Sequence, residues 1–242
     1  TEMWVSKRDL TNDEELPGAT LSIKDTDGNV VTSWVSTDTP HRVMGLHLGD
    51  TYTLTETRPA DGYALADEIT FRLLQKVDEN GSNLQEAEVY YLTTKNFLFW
   101  TWDDWKLLDD ATVIMRDDTI KAEFSKKDLT TMEELPGAEL TITDKDGKEI
   151  ERWVSTDKPH YIEKLPAGDY TLTEVKAPDG YAFAESVPFT VLPTGEVQQF
   201  EMLDDVIKVE ISKKDLTTME ELPGAELTIT DKDGKEIERW VS

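Results

Sequence analysis

Residues 125–155 read SKKDLTTMEELPGAELTITDKDGKEIERWVS, and residues 212–242 repeat this stretch letter for letter over 31 residues. Residues 6–36, which read SKRDLTNDEELPGATLSIKDTDGNVVTSWVS, align with it without a gap and match at 19 of the 31 positions. Self-similarity over such a length is the signature of one structural unit used several times. The chain is therefore predicted to consist of copies of a single type of domain.

Two further blocks complete the repeating unit. YTLTETRPADGYA begins at Tyr52 and YTLTEVKAPDGYA at Tyr170, and VIMRDDTIKAEFSKKD of the first copy corresponds to FEMLDDVIKVEISKKD of the second. We therefore expect one domain over 1–119, a second over 120–206, and the incomplete start of a third repeat over 207–242. Since no Gly/Ser-rich or Pro-rich linker separates the copies, we expect the domains to form a stiff rod.

Short runs of β-branched and aromatic residues recur along the chain. WVSKRDL, ATLSI, TYTLTE, EITFRLL and ATVIMRD are examples, and PG, DG and DGY turn signals bound them. Strands at this spacing, without long amphipathic helices between them, are typical of antiparallel β-sandwiches. The predicted fold class is therefore all-β, with sandwiches in tandem.

The composition excludes several classes of function. The chain has 51 acidic and 25 basic residues and a formal net charge of −26, whereas a partner such as nucleic acid requires clustered Lys and Arg. No apolar run approaches the ~20 residues of a membrane span, so no membrane insertion is expected. There is no cysteine, and the only histidines are His41, His47 and His160. We predict no disulfide, no metal site and no cofactor.

Three strands of each complete copy carry a charged residue on their apolar face. Strand side chains alternate between faces, so residues two positions apart share a face. Lys126, for example, shares a face with Ala122 and Phe124. The charged residues are Lys7, Glu56 and Asp117 in the first copy, Lys126, Glu174 and Asp204 in the second, and Lys213 in the third repeat, which lacks the other two.

Two interpretations of these charged residues are open. They can lie at strand ends, where their charged groups reach water or form a salt bridge. Alternatively they are buried, although an isolated buried charge costs several kcal/mol. Burial would lower the pKa of the amine and raise that of the carboxyl group. A neutral amine could then react with a neutral carboxylic acid while the glutamate transfers protons between them.

Several of these motifs together resemble a known family. VSKRD, ELPGA, the WVS strand, YTLTETRPADGY and VIMRDD are similar to the Cna B-type, or SpaA-like, domains of Gram-positive surface proteins and pilins. The resemblance extends to the domain that was split into the SpyTag and SpyCatcher pair. It covers nearly the whole chain except an insert in the first copy. It implies a prealbumin-like, inverse-immunoglobulin β-sandwich and an extracellular location at the cell surface or cell wall.

The resemblance also implies a self-made covalent bond in each complete copy. By position, Lys7 would form an isopeptide bond with Asp117 assisted by Glu56, and Lys126 would bond Asp204 assisted by Glu174. Each reaction would occur once, so no enzyme acting on an external substrate is expected. The implied function is a structural segment of a pilin-like stalk or adhesin, whose partners are the neighbouring repeats of its own chain.

An aromatic insert, predicted at about 87–110, supports an alternative function. It contains NFLFWTWDDWKLL, with Phe97, Phe99 and the tryptophans Trp100, Trp102 and Trp105. Asp103-Asp104 could form the turn of a hairpin that packs on its own sandwich or on the neighbouring one. If its aromatic residues are exposed instead, the copy could be a recognition module for a glycan or a host protein. An accessory sandwich of a secreted enzyme is a third alternative.

Two weaker signals concern turns and the third repeat. Residues 25–28 (DTDG) and 144–147 (DKDG) resemble the start of a calcium loop, but Ser36 and Ser155 occupy the position that requires glutamate, so we predict hairpin turns. The third repeat is too short to fold alone. We expect either a window on a longer chain or strands supplied by another molecule. In both cases Lys213 should remain a free amine.

Overall fold

The computed structural model describes the backbone of residues 1–242 and every side chain except those of Asn96 and Phe97. The chain divides into two compact units, residues 1–205 and 206–242. The first unit contains two β-sandwiches, each built from a three-stranded sheet and a larger one. Among the described residues we find no helix with the length and hydropathy of a membrane-spanning segment.

Nine strands form the first sandwich. They are β1 (Glu2–Asp9), β2 (Thr20–Lys24), β3 (Val30–Val35), β4 (His41–Met44), β5 (Thr51–Arg58), β6 (Ile69–Val77), β7 (Asn83–Phe97), β8 (Trp100–Leu107) and β9 (Thr112–Asp117). One sheet has the order β4-β1-β9 and the other β3-β2-β5-β6-β7-β8. All neighbours are antiparallel except β1 and β9, which run parallel. The first and last strands of the sandwich therefore lie side by side.

Seven strands form the second sandwich with the same topology. They are β10 (Lys121–Asp128), β11 (Glu139–Asp144), β12 (Glu149–Val154), β13 (His160–Glu163), β14 (Gly168–Lys176), β15 (Val187–Val191) and β16 (Val197–Asp204). The sheets have the orders β13-β10-β16 and β12-β11-β14-β15, and β10 is again parallel to β16. The prediction of tandem all-β sandwiches is confirmed. Alternation alone did not reveal that first and last strands pair in parallel.

The core of each sandwich lies between its two sheets. Strand β10 alternates buried and partly exposed residues along its whole length, which places Ala122, Phe124 and Lys126 on the buried face. Phe124 packs edge-on against Phe189 of the opposite sheet, with 5.3 Å between the ring centroids. In the first sandwich, Phe71 and Leu73 occupy the core from the larger sheet. Alternation thus places the apolar side chains, together with the lysine, in the layer between the sheets, from which water is excluded.

The insert extends the larger sheet of the first sandwich by β7 and β8. Its turn is formed by Leu98 and Phe99, because β7 and β8 pair from Phe97–Trp100 to Tyr90–Leu107. The prediction of a turn at Asp103-Asp104 is therefore wrong. Those two residues lie within β8, opposite threonines of β7, and Asp104 forms an ion pair with Lys95. Cross-strand contacts of this kind set the register, and short-range turn signals did not reveal them.

The hairpin also extends beyond the rest of its sheet. Strand β7 pairs with β6 only as far as Tyr91, so the following residues of β7 have only β8 as a neighbour. Leu98 and Phe99 at the tip are 82% and 97% exposed. The side chain of Phe97, which the sequence analysis grouped with these aromatic residues, lies outside the described residues.

The second unit, residues 206–242, contains one hairpin. It pairs β17 (Glu226–Thr230) with β18 (Glu236–Val241) in antiparallel fashion. Residues 208–213, which correspond in sequence to the first part of β10, are not in a strand, and Val209 and Ile211 are exposed. The DxDG turns predicted at 25–28 and 144–147 are present, and the third repeat has the same turn at 231–234. In each, the first aspartate accepts a hydrogen bond from a following backbone N–H group.

Candidate functional site

The fold of the first sandwich brings three charged residues into the layer between its sheets. Lys7 lies on β1 and Asp117 on the parallel neighbour β9, and the register pairs Lys7 with Met115 and Asp9 with Asp117. Asp117 therefore lies on the same face of the sheet as Lys7, two residues further along the strand direction. Glu56 lies on β5 in the opposite sheet. Residues 110 positions apart meet because the first and last strands are adjacent.

The three side chains contact one another and are shielded from solvent. Lys7 Nζ donates a hydrogen bond to Asp117 Oδ1 and lies 2.9 Å from Glu56 Oε1. The side chain of Lys7 is 1% exposed, and those of Glu56 and Asp117 are 0% exposed. The interpretation that these charged groups reach water is therefore wrong for this sandwich, whereas Lys7 does form the ion pairs of the salt-bridge interpretation, with Glu56 and Asp117.

The second sandwich repeats the arrangement. Lys126 Nζ donates a hydrogen bond to Asp204 Oδ1 and lies 3.0 Å from Glu174 Oε1, again with all three side chains buried. The register pairs Lys126 with Met202, as Lys7 pairs with Met115. Two copies with different sequences therefore present the same three groups in the same geometry.

Burial shifts the acid–base behaviour of both aspartates. In the first sandwich, desolvation raises the pKa of Asp117 to about 7; the charge of Glu56 acts in the same direction, and Lys7 opposes it. In the second, desolvation raises the pKa of Asp204 to about 6, with Lys126 opposing the shift and Glu174 adding to it. Both carboxyl groups are therefore neutral over a wider pH range than an exposed aspartate, because a low-dielectric environment disfavours the charged form.

Each glutamate is oriented by a backbone group. Ala66 N–H donates to Glu56 Oε2 at 2.8 Å, and Ala184 N–H donates to Glu174 Oε2 at 2.9 Å. With that oxygen held by the loop, the other oxygen, Oε1, faces the lysine amine. A carboxylate held in this way is placed to accept a proton from the amine. An amine, a carboxyl group and a proton acceptor thus lie in contact where water is excluded.

A second buried carboxylate, which was not predicted from the sequence, lies next to each cluster. Tyr63 OH donates to Asp9 Oδ2 at 2.6 Å, and Tyr181 OH donates to Asp128 Oδ2 at 2.7 Å. The signals were present in the sequence. An aspartate follows each lysine by two positions, on the same strand face, and the tyrosine belongs to the repeated DGYA motif.

The other residues selected from the sequence lie apart from these clusters. Lys213 belongs to the unit 206–242, whose described atoms include no ion-pair partner for its amine. Trp100 and Trp102, on the projecting hairpin, are 75% and 47% exposed. Trp105 is partly buried, and the guanidinium of Arg72 lies 4.2 Å from the centre of its ring. The exposed aromatic surface therefore lies at the tip and does not include Trp105.

Comparison with known proteins assigns the fold to a class of domains, those with a prealbumin-like fold. The family model of the SpaA prealbumin-like fold domain matches residues 1–82 and 120–205. The chain belongs to this family, as the motifs of the sequence indicated. The unmatched stretch between the two ranges contains β7, β8 and β9.

Solved structures of several Gram-positive proteins are similar. The Bacillus anthracis TIE protein is 23% identical over 99% of this chain, with a TM-score of 0.46, and this chain spans 41% of its length. The shaft pilin SpaA of Lactobacillus rhamnosus GG is 15% identical over 87% of this chain and 99% of its own, with a TM-score of 0.34. BcpA, the major pilin subunit of Bacillus cereus, is 14% identical over 85% of this chain and 99% of its own, with a TM-score of 0.33. No match was found among curated proteins.

Proposed function

We propose that this chain is a structural segment of a Gram-positive cell-surface protein whose sandwiches are each closed by a self-formed Lys–Asp isopeptide bond. The observation that carries the proposal is the buried contact of Lys7 with Glu56 and Asp117, together with its repetition in the second sandwich. Membership of the SpaA family supports a location outside the cell.

The reaction condenses the amine with the neutral carboxylic acid. In the first sandwich, Glu56 accepts a proton from the Lys7 ammonium, and the freed amine attacks the carboxyl carbon of Asp117. The Nζ–Cγ bond forms and the bond from Cγ to the hydroxyl oxygen breaks. Glu56 passes its proton to that oxygen, so that one water leaves, and it then takes the second proton that the nitrogen loses, so that Glu56 ends protonated. The product is an uncharged amide, which removes two charges from a layer where they are costly. No oxidant and no external energy source is required.

The position of the bond determines its mechanical effect. Lys7 lies near the start of the first sandwich and Asp117 near its end, so a force applied to the two ends passes directly through the bond. The remaining strands are bypassed and carry no load. An amide also resists reduction, which suits a chain that contains no cysteine.

Intact mass measurement tests the chemistry. The full chain should be lighter than its sequence mass by two water molecules. Glu56→Ala should restore one water, and Lys213→Ala, in a repeat without the other two groups, should leave both losses unchanged. A wild-type mass equal to the sequence mass would refute the proposal.

A second function is favoured by the projecting hairpin. Its end exposes the side chains of Leu98, Phe99, Trp100 and Trp102, and exposed apolar patches often mark binding surfaces. The hairpin would recognise a glycan or a host protein. Screening glycans and host surface proteins against wild type and the double variant Trp100→Ala/Trp102→Ala tests this function. Binding that the variant loses supports it, and binding that is absent or unaltered refutes it.

A further inference from the structure

Lys164 of the second sandwich reaches a buried pair of residues in the first. Its Nζ donates to Tyr63 OH at 2.8 Å and lies 3.5 Å from Asp9 Oδ2, to which Tyr63 OH also donates. Asp9 and Tyr63 are both buried. The amine thus compensates the charge of a carboxylate that lies within the other sandwich.

That carboxylate adjoins the reactive cluster. Asp9 follows Lys7 by two positions on β1 and is the register partner of Asp117 on β9. Burial alone would raise the pKa of Asp9, but hydrogen bonds from Tyr63 and the backbone of Thr11, with the charge of Lys164, lower it below the ordinary value. Asp9 is therefore a fixed negative charge next to the site where the amide would form.

The loop that carries Tyr63 contacts the reactive residues on two sides. Ala66 N–H holds Glu56, and Ala64 N–H donates to the carbonyl of Asp118, the residue after Asp117, at 2.9 Å. The carbonyl of Gly62 accepts a hydrogen bond from Ile120 N–H, at the start of the second sandwich, at 2.9 Å. The loop therefore connects the second sandwich with the carboxyl group of Glu56 and with the backbone next to Asp117.

Two backbone features indicate that this contact is specifically built. Lys164 adopts φ +63°, a left-handed conformation that is costly for a residue with a Cβ, where the first copy has Gly45 at φ +80°. There is no room for a side chain at Gly62, because an added Cβ would lie 2.6 Å from the carbonyl oxygen of Lys164. At Gly180, the equivalent position of the second copy, an added Cβ would meet nothing within 4 Å.

We propose that Lys164 is a positioning residue for the Lys7–Asp117 reaction, so that docking of the second sandwich completes the reactive geometry of the first. The inference rests on the proposed function. In the second sandwich, Asp128 is held within its own domain, by Tyr181 and by the N–H groups of Thr130 and Thr131. The Lys126–Asp204 reaction therefore does not depend on Lys164.

Site-resolved kinetics test this inference. The full chain is made by pulsed cell-free synthesis, and peptide mass spectrometry follows water loss at each site with time. Lys164→Ala should slow the reaction in the first sandwich about tenfold, the order expected for loss of a hydrogen bond with a charged group, and leave the second unchanged. Lys164→Arg should restore much of the rate. Gly62→Ala should slow only the first reaction, and Gly180→Ala, equally strained at φ +86°, should not slow the first.

The pH profile distinguishes positioning from a general loss of structure. Without the cation, the charge of Asp9 is less compensated, so the pH at which the first reaction slows should move upward in Lys164→Ala and stay unchanged in Lys164→Arg. Equal rates at the first site in wild type, Lys164→Ala and Gly62→Ala would overturn this inference and leave the proposed function standing. Absence of water loss at both sites in wild type would instead refute the proposed function.

Discussion

If the two proposed amide bonds form, stretching the chain from its ends should not release the residues that they enclose. In the second sandwich, 78 positions separate Lys126 from Asp204, and an extended chain spans ~3.5 Å per residue. A chain lacking this bond should therefore lengthen by ~270 Å more than wild type when the sandwich unfolds. In the first sandwich, the 110 positions from Lys7 to Asp117 correspond to ~380 Å.

Single-molecule force spectroscopy measures these lengths directly. Glu174→Gln preserves the side-chain shape but removes the proton acceptor, and Asp204→Ala removes the carboxyl group altogether, so both should show the ~270 Å step. Glu56→Gln should show the ~380 Å step instead, which makes it the matched control. Neither step should occur in wild type below the force that breaks covalent bonds. Release of either length by wild type, at forces typical of unbonded sandwiches, would show that the corresponding bond is absent.

Three further outcomes are expected. Because the neutral acid is the proposed reactive form, the rate of water loss should fall as the pH rises, through about 7 at Asp117 and through about 6 at Asp204. Site-resolved mass spectrometry at several pH values measures both rates. A rate that does not depend on pH, or that falls at a lower pH at Asp117 than at Asp204, would contradict this expectation. Closing a loop of 78 positions should stabilise the second sandwich by about 4–5 kcal/mol. Glu174→Gln should therefore lower its free energy of unfolding in denaturant by that amount. Equal free energies of unfolding for wild type and Glu174→Gln would contradict this expectation. Leu140→Ala, in the core of that sandwich, should lower the free energy of unfolding by about 2–5 kcal/mol in the same assay. Water loss at the first site should be unchanged in this variant. A loss of stability below about 1 kcal/mol would contradict the burial of Leu140.

Much of the fold was predictable because its information is local. Alternation along β10 placed Lys126 on the same face as Ala122 and Phe124, and this face is the buried one. The second copy has a charged residue at each corresponding strand position, and this recurrence cannot be seen in a single strand. The turn of the insert was not predictable in this way. The Asp103-Asp104 pair reads as a turn signal, but the ion pair of Asp104 with Lys95 and the pairing of β7 with β8 place it within a strand.

The residues with the right chemistry can be identified from the sequence alone, since Lys7, Glu56 and Asp117 each stand on an apolar strand face. This is possible because side-chain direction in a strand depends only on the parity of the position. That these residues meet follows from the tertiary fold and from no local pattern. The parallel pairing of β1 with β9, and the placement of β5 opposite them, joins positions 110 residues apart. The contact of Lys164 with Tyr63 likewise depends on how one sandwich packs on the next, which no local pattern encodes.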